Sequence, residues 1–144
     1  MSYTYEYPRP AVTVDCLVFS RGQGKLWLML IQRERPPFQG AWALPGGFVE
    51  IDEDLPDAAY RELKEETGIN DIELDQLRAF GKPGRDPRGR TISIVYYGFV
   101  DPEKTTATAG SDARNVDWFD INDLPPLAFD HAKIIEMARK KLGL

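Results

Sequence analysis

The stretch GFVEIDEDLPDAAYRELKEETGI, residues 47–69, holds the best-marked helix of the chain and its most crowded charges. Asp54 is placed to cap that helix, Pro56 is tolerated in a first turn, Asp57 suits the positive end of the dipole and Gly68 supplies a left-handed stop. Ala58, Ala59, Leu63 and the following Ile69 offer an apolar face, whereas Arg61, Glu62, Glu65 and Glu66 mostly occupy another. Glu62, Glu65 and Glu66 stand as i, i+3 and i+4, so a helix gathers their like charges on one side. Such a cluster costs stability unless something positive neutralises it. Hard divalent cations such as Mg²⁺ bind through a few carboxylates together with substrate phosphates, and the spacing therefore suggests a metal platform. A solvated acidic helix face is the structural alternative.

Outward from the helix the chain reads as strands. AVTVDCLVF (11–19) and KLWLMLI (25–31) are β-rich runs separated by SRGQG, a cluster suited to a hairpin turn. RERPPFQGAWALPGG (33–47) is a loop punctuated by Pro and Gly that holds Phe38 and Trp42. A strand near 72–80 precedes the basic loop KPGRDPRGR (82–90), and TISIVYYGFV (91–100) is the strongest strand signal. DPEKTTATAGSDAR (101–114) reads as a flexible loop and NVDWF as a short strand. AFDHAKIIEMARKKLGL forms a last helix, with Asp130 as N-cap and Ile134, Ile135, Ala138 and Leu142 toward the core. Strands, a helix, strands and a helix suit an α/β mixed sheet with helices packed on its faces.

The 144 residues favour one domain, spanning 1–144. Eighteen basic against 23 acidic residues give a net charge of −5, which argues against a general nucleic-acid or anionic-membrane binder. No apolar run is long enough for a membrane span, and MSYTYEYPRP lacks the pattern of a secretory signal, so a cytoplasmic location is expected. The lone Cys16 lies in an apolar strand and reads as core.

From Gly47 the chain runs glycine, five residues, Glu53, seven residues, then Arg61, Glu62, Leu63, Lys64, Glu65, Glu66, Thr67, Gly68 and Ile69. This resembles the complete Nudix box, GX5EX7REUXEEXGU with U apolar, without a departure. At average residue usage a chance match at a given position is on the order of one in a billion. The resemblance implies a Nudix-type α/β/α sandwich around a mixed β-sheet. It further implies hydrolysis of a nucleoside diphosphate linked to another moiety, with two or three Mg²⁺ or Mn²⁺ ions. Carried onto matching positions, it makes Glu62, Glu65 and Glu66 the metal-binding or water-activating carboxylates and the Gly46 carbonyl a further ligand. Glu53 then supports the site, Arg61 orients the carboxylates, and Gly46 and Gly47 let the backbone approach metal and phosphate.

The basic loop with Pro83, together with GAWALPGGFVE and FDHAKIIEMARKKL, resembles the ADP-ribose pyrophosphatase branch, whose reaction yields AMP and ribose 5-phosphate. Arg85, Arg88 and Arg90 then become candidate phosphate contacts, the alternative being a loop made basic for solubility. Adenine stacking is expected on Tyr5, Tyr7, Phe38 or Trp42, each of which also reads as core or dimer interface. Asp112, in the 101–114 loop, is a candidate further carboxylate. His131 reads as a helix-start residue ahead of a catalytic base. Relatives are often homodimers, so one is expected here. Two other functions stay open: a pyrophosphohydrolase of (oxidised) nucleoside triphosphates, and a non-catalytic ADP-ribose sensor. An intact box, and a chain ending soon after its last helix, favour catalysis over sensing.

Overall fold

The computed structural model describes residues 2–101, 103 and 113–144. Its central strand is β1 (Ala11–Gly22), which is apolar enough to be buried on both faces. Gln23 and Gly24, with φ of 56° and 70°, make the tight turn into β2 (Lys25–Arg33), as a hairpin with right-handed strand twist requires. The two strands pair only near this turn, from Phe19↔Leu28 to Gly22↔Lys25. Beyond it they part, and short strands β3 (Trp42–Ala43) and β4 (Gly46–Phe48) fill the gap, β3 on β2 and β4 on β1. The loop expected over 33–47 therefore carries sheet structure, and Cys16 N–H donating to Pro45 O stitches it to the centre.

Helix α1 (Leu55–Thr67) follows, capped by the Asp54 side chain on Leu55 N–H and stopped by Gly68 at φ 77°. Strand β5 (Asp75–Phe80) pairs antiparallel with β6 (Thr91–Phe99), which runs parallel to β1 from Ala11↔Thr91 to Phe19↔Phe99. Strand β7 (Ala113–Asp120) covers the outer side of β2, and α2 (His131–Leu142) ends the architecture. One parallel pairing among antiparallel ones makes this a mixed sheet, and a helix on each face makes the α/β/α sandwich.

Alternation along β1 divides the core. Val14, Cys16 and Val18 join Ala58, Ala59 and Leu63 of α1, whereas Leu17 and Phe19 join Ile134, Ile135 and Ala138 of α2. Cys16 is thus core, as its strand position suggested. Asp15 is the polar interruption on the α2 side, and it is buried. Tyr3, Tyr5 and Tyr7 are exposed. Among the described residues no helix is long and apolar enough to cross a membrane.

Asp130 departs from the expected N-cap role. It stands at the cap position, but its carboxylate makes no cap hydrogen bond, because both its oxygens accept from Arg85, at 2.9 and 2.7 Å. The Arg85 side chain is only 4% exposed. This buried pair ties the 82–90 loop to the start of α2, and removing one partner strands the other charge in a poor solvent. Arg85→Met is expected to lower unfolding free energy by about 3 kcal/mol, read from urea denaturation; an unchanged midpoint contradicts the tie.

Candidate active site

The polar face of α1 looks onto β4, and two glycines set how closely they approach. Gly46 N–H donates to Glu66 Oε1 at 2.8 Å. A Cβ on Gly47 would lie 2.5 Å from the Glu62 carboxyl carbon, and one on Gly46 would lie 2.6 Å from Asp15 Oδ1. Only glycine allows a strand to be squeezed between these carboxylates.

Arg61 is the hub of the acidic wall. Its Nε donates to Glu53 Oε2 at 2.9 Å, its Nη1 to Glu62 Oε1 at 2.8 Å and to Glu65 Oε2 at 3.2 Å, and its Nη2 to Phe48 O at 3.1 Å. A second Nη2 contact to Glu53 makes that pair bidentate. Glu53, hydrogen-bonded by Arg61 and by Glu50 N–H, is held down at about 2. Arg61 in turn is pushed above its ordinary value, first by Glu53. Glu62 goes the other way, because burial outweighs Arg61 and raises it. Glu66 is pushed up to about 9 by burial, with Glu62 and Asp15 adding to the effect and the Gly46 hydrogen bond opposing it.

Beneath these groups lies a buried polar chain. Ser93 Oγ–H donates to Asp15 Oδ2, Asp15 Oδ1 is 3.6 Å from His131 Nε2, and Leu44 N–H donates to His131 Nδ1 at 3.0 Å. Burial raises Asp15 and lowers His131, favouring the neutral form of each, though each opposes that shift in the other. His131 is the first residue of α2, as read from the sequence, and the Leu44 hydrogen bond makes Nδ1 its acceptor.

Within the 82–90 loop Asp86 balances Arg88, whereas Arg85 takes its partner, Asp130, from outside the loop. Asp86 accepts from Arg88 through Nε at 3.1 Å, Nη2 at 2.8 Å and the backbone N–H at 2.9 Å. Burial opposes ionisation of Asp86, but the Arg88 hydrogen bonds prevail and its pKa is lowered. The Arg88 guanidinium lies 4.8 Å from the Phe48 ring centre and 5.1 Å from that of Phe129. Phe129 has φ 52° and Phe38, whose ring is 5.0 Å away, has φ 58°. That backbone region costs a bulky residue of order 1–3 kcal/mol.

A cleft of about 510 Å³ joins these parts. Gly46, Gly47, Arg61, Glu62, Glu65, Glu66, Arg85 and Arg88 line it, and Glu53 stands behind Arg61. Arg90 is exposed and does not line the cleft. Neither does Trp42, which packs edge-on against Phe119, nor Phe38, which backs Phe129. Glu103 donates its backbone N–H to Asp101, while Asp112 and Ser111 lie outside the described residues. Sequence reasoning missed Asp15, Phe48, Asp86 and Phe129 as cleft residues. The acid within the apolar run AVTVDCLVF was the one available signal for Asp15. Among the described residues no three acidic, His or Cys side chains form a ready-made cation cage. Glu53, Glu62 and Glu65 are drawn onto Arg61, and Glu66 onto Gly46.

A family model described as the NUDIX domain matches residues 9–138. An ADP-ribose pyrophosphatase of Methanocaldococcus jannaschii is 45% identical over 130 residues, covering 90% of this chain and 73% of that protein. An ADPR responsive transcriptional repressor NtrR of Acinetobacter baylyi is 36% identical over 142 residues, covering 96% of this chain and 56% of the repressor's length. Among solved structures, the NUDIX domain of Shewanella oneidensis NrtR complexed with ADP ribose superposes with a TM-score of 0.87. Its sequence is 33% identical, and the match covers 94% of this chain and 90% of that one.

The electrostatics of Glu66 are testable without substrate. With its folded pKa near 9 and an ordinary value of 4.5, folded protein holds a proton that unfolded protein has released throughout this window. Metal-free stability should therefore fall as pH rises from about 5 to 9 relative to Glu66→Gln, which lacks the titrating group. Urea unfolding in EDTA at pH 5, 7 and 9 measures the difference, and parallel profiles for the two proteins contradict the burial of this charge.

Proposed function

The chain belongs to the NUDIX family, and on that premise we propose that it hydrolyses ADP-ribose to AMP and ribose 5-phosphate. The observation that carries this reading is one cleft that joins the box carboxylates to a guanidinium in contact with two aromatic rings. The relative that is 45% identical and bears the pyrophosphatase name supports the choice of ADP-ribose.

The donor set suits hard divalent ions. Glu66 is a buried carboxylate that resists ionisation without a cation, Glu62 presses on Gly47, and the Gly46 backbone lies between Glu66 and Asp15. Glu62, Glu65, Glu66 and the Gly46 carbonyl would hold Mg²⁺ or Mn²⁺, two or three ions with the substrate's share. When bound, such ions neutralise pyrophosphate charge and lower the pKa of water.

The chain's own residues do the rest. Arg61 holds Glu53, Glu62 and Glu65 in fixed directions, so they need little reordering as a substrate arrives. At its raised pKa Glu66 holds a proton near neutral pH while no cation is near, and it would be free to accept one only once a divalent ion had lowered that pKa. The β1–β4 and β4–α1 contacts keep that carboxylate next to the backbone of Gly46. Arg88, aimed by Asp86, offers a fixed guanidinium for the rest of the nucleotide.

A second reading, ADP-ribose sensing without turnover, is favoured by the 36% identical repressor. A panel of ADP-ribose, other nucleotide sugars, dinucleotides and oxidised triphosphates, assayed with Mg²⁺, separates the readings. ADP-ribose should give the highest kcat/KM, and Glu66→Gln should lower it at least about a hundredfold while the protein stays folded. A triphosphate that wins tenfold contradicts the ADP-ribose assignment, and tight binding without turnover turns the reading to sensing.

A further inference from the structure

We propose that Phe48 and Phe129 form the nucleobase subsite of the cleft, its walls being the two rings that Arg88 now touches. The inference rests on the nucleotide reading above and assigns the part of the substrate that the carboxylates do not address.

Three observations converge on it. The first is composition: in a cleft whose other apolar lining is aliphatic (Ile31, Pro36, Ala43 and Leu44), Phe48 and Phe129 are the two phenyl rings, and they stand beside the charged Arg88. Phe48 is 44% exposed, a cost that a ligand ring would remove. The second is spacing. The Arg88 guanidinium carbon lies 4.8 Å from one ring centre and 5.1 Å from the other, so a single planar group already meets both rings. A nucleobase is the substrate moiety with that shape and character.

The third is backbone strain. Phe129 lies in the left-handed region at φ 52°, and Phe38, also left-handed at φ 58°, braces its ring from 5.0 Å. Bulky residues are held in that conformation where the surrounding structure over-determines it, commonly at ligand clamps. The Arg33 guanidinium lies a further 5.0 Å from the Phe129 ring centre, which adds to the bracing. Phe38, expected from sequence to stack on adenine, thus acts by positioning Phe129. Arg88 remains tethered to Asp86, so when a base enters the slot its guanidinium has a fixed partner and need not enter solvent unpaired.

The test uses the full chain and two readouts. Etheno-ADP-ribose, titrated without divalent metal, reports stacking by fluorescence quenching independently of turnover. ADP-ribose kinetics with Mg²⁺ then separate KM from kcat. Phe48→Leu and Phe129→Leu should each weaken etheno-ADP-ribose binding and raise KM about tenfold, with a far smaller change in kcat. Phe129→Tyr, which keeps the ring, should restore KM to near the wild-type value. Phe48 is exposed, so its leucine variant folds whatever becomes of Phe129, and near-ultraviolet circular dichroism checks both. Wild-type turnover combined with unmoved KM and quenching in both leucine variants overturns the subsite alone. Absence of both turnover and etheno-ADP-ribose binding in the wild type overturns the subsite together with the nucleotide reading beneath it.

Discussion

Three carboxylates on one and a half turns of α1 repel one another, and the architecture around them is arranged to contain that repulsion. Arg61 contacts Glu53, Glu62, Glu65 and the Phe48 carbonyl at once, so one guanidinium joins the helix, the turn before it and β4. Glu66 is left to the other side and takes the Gly46 N–H. Neither arrangement could form if β1 and β2 stayed paired to their ends. Their separation after the hairpin makes the gap in which β4 lies, and Gly46 and Gly47 let that strand fit between Asp15 and Glu62.

The two sides of the cleft differ in how their charge is balanced. On the α1 side Glu66 is buried and accepts the Gly46 N–H, and its raised pKa reports the cost of that burial. On the loop side Arg85 is neutralised by Asp130 and Arg88 by Asp86, although both arginines line the cleft. A charged pair held in a bidentate geometry supplies direction more than net field. The imbalance therefore lies with the carboxylates, and they are where a cation gains most.

Local signals were legible and long-range ones were not. Asp54, Pro56 and Gly68 marked the ends of α1 correctly because caps act within a few residues of themselves. Asp130 also stands at a helix start, but Arg85, 45 residues away, takes its carboxylate in preference to the local cap. The spacing of Glu62, Glu65 and Glu66 gave their shared face, yet the glycine contacts that turn a helix face into a cleft depend on sheet pairing. Trp42 and Phe129 illustrate the same limit. Both are aromatics near loops, and only the pairing of β3 with β2 sends Trp42 toward Phe119 while the left-handed backbone at Phe129 leaves its ring in the cleft.

We propose that the crowded carboxylates of α1 and the backbone of Gly46 together bind the divalent ions of a pyrophosphate hydrolase. Anomalous scattering from crystals grown with Mn²⁺ tests it most directly, because the ion's position is read without reference to activity. Peaks are expected in the cleft within coordinating distance of the Glu62 or Glu66 carboxylate and the Gly46 carbonyl. Peaks confined to other acidic surfaces, or a cleft that stays without manganese at saturating concentration, would contradict it.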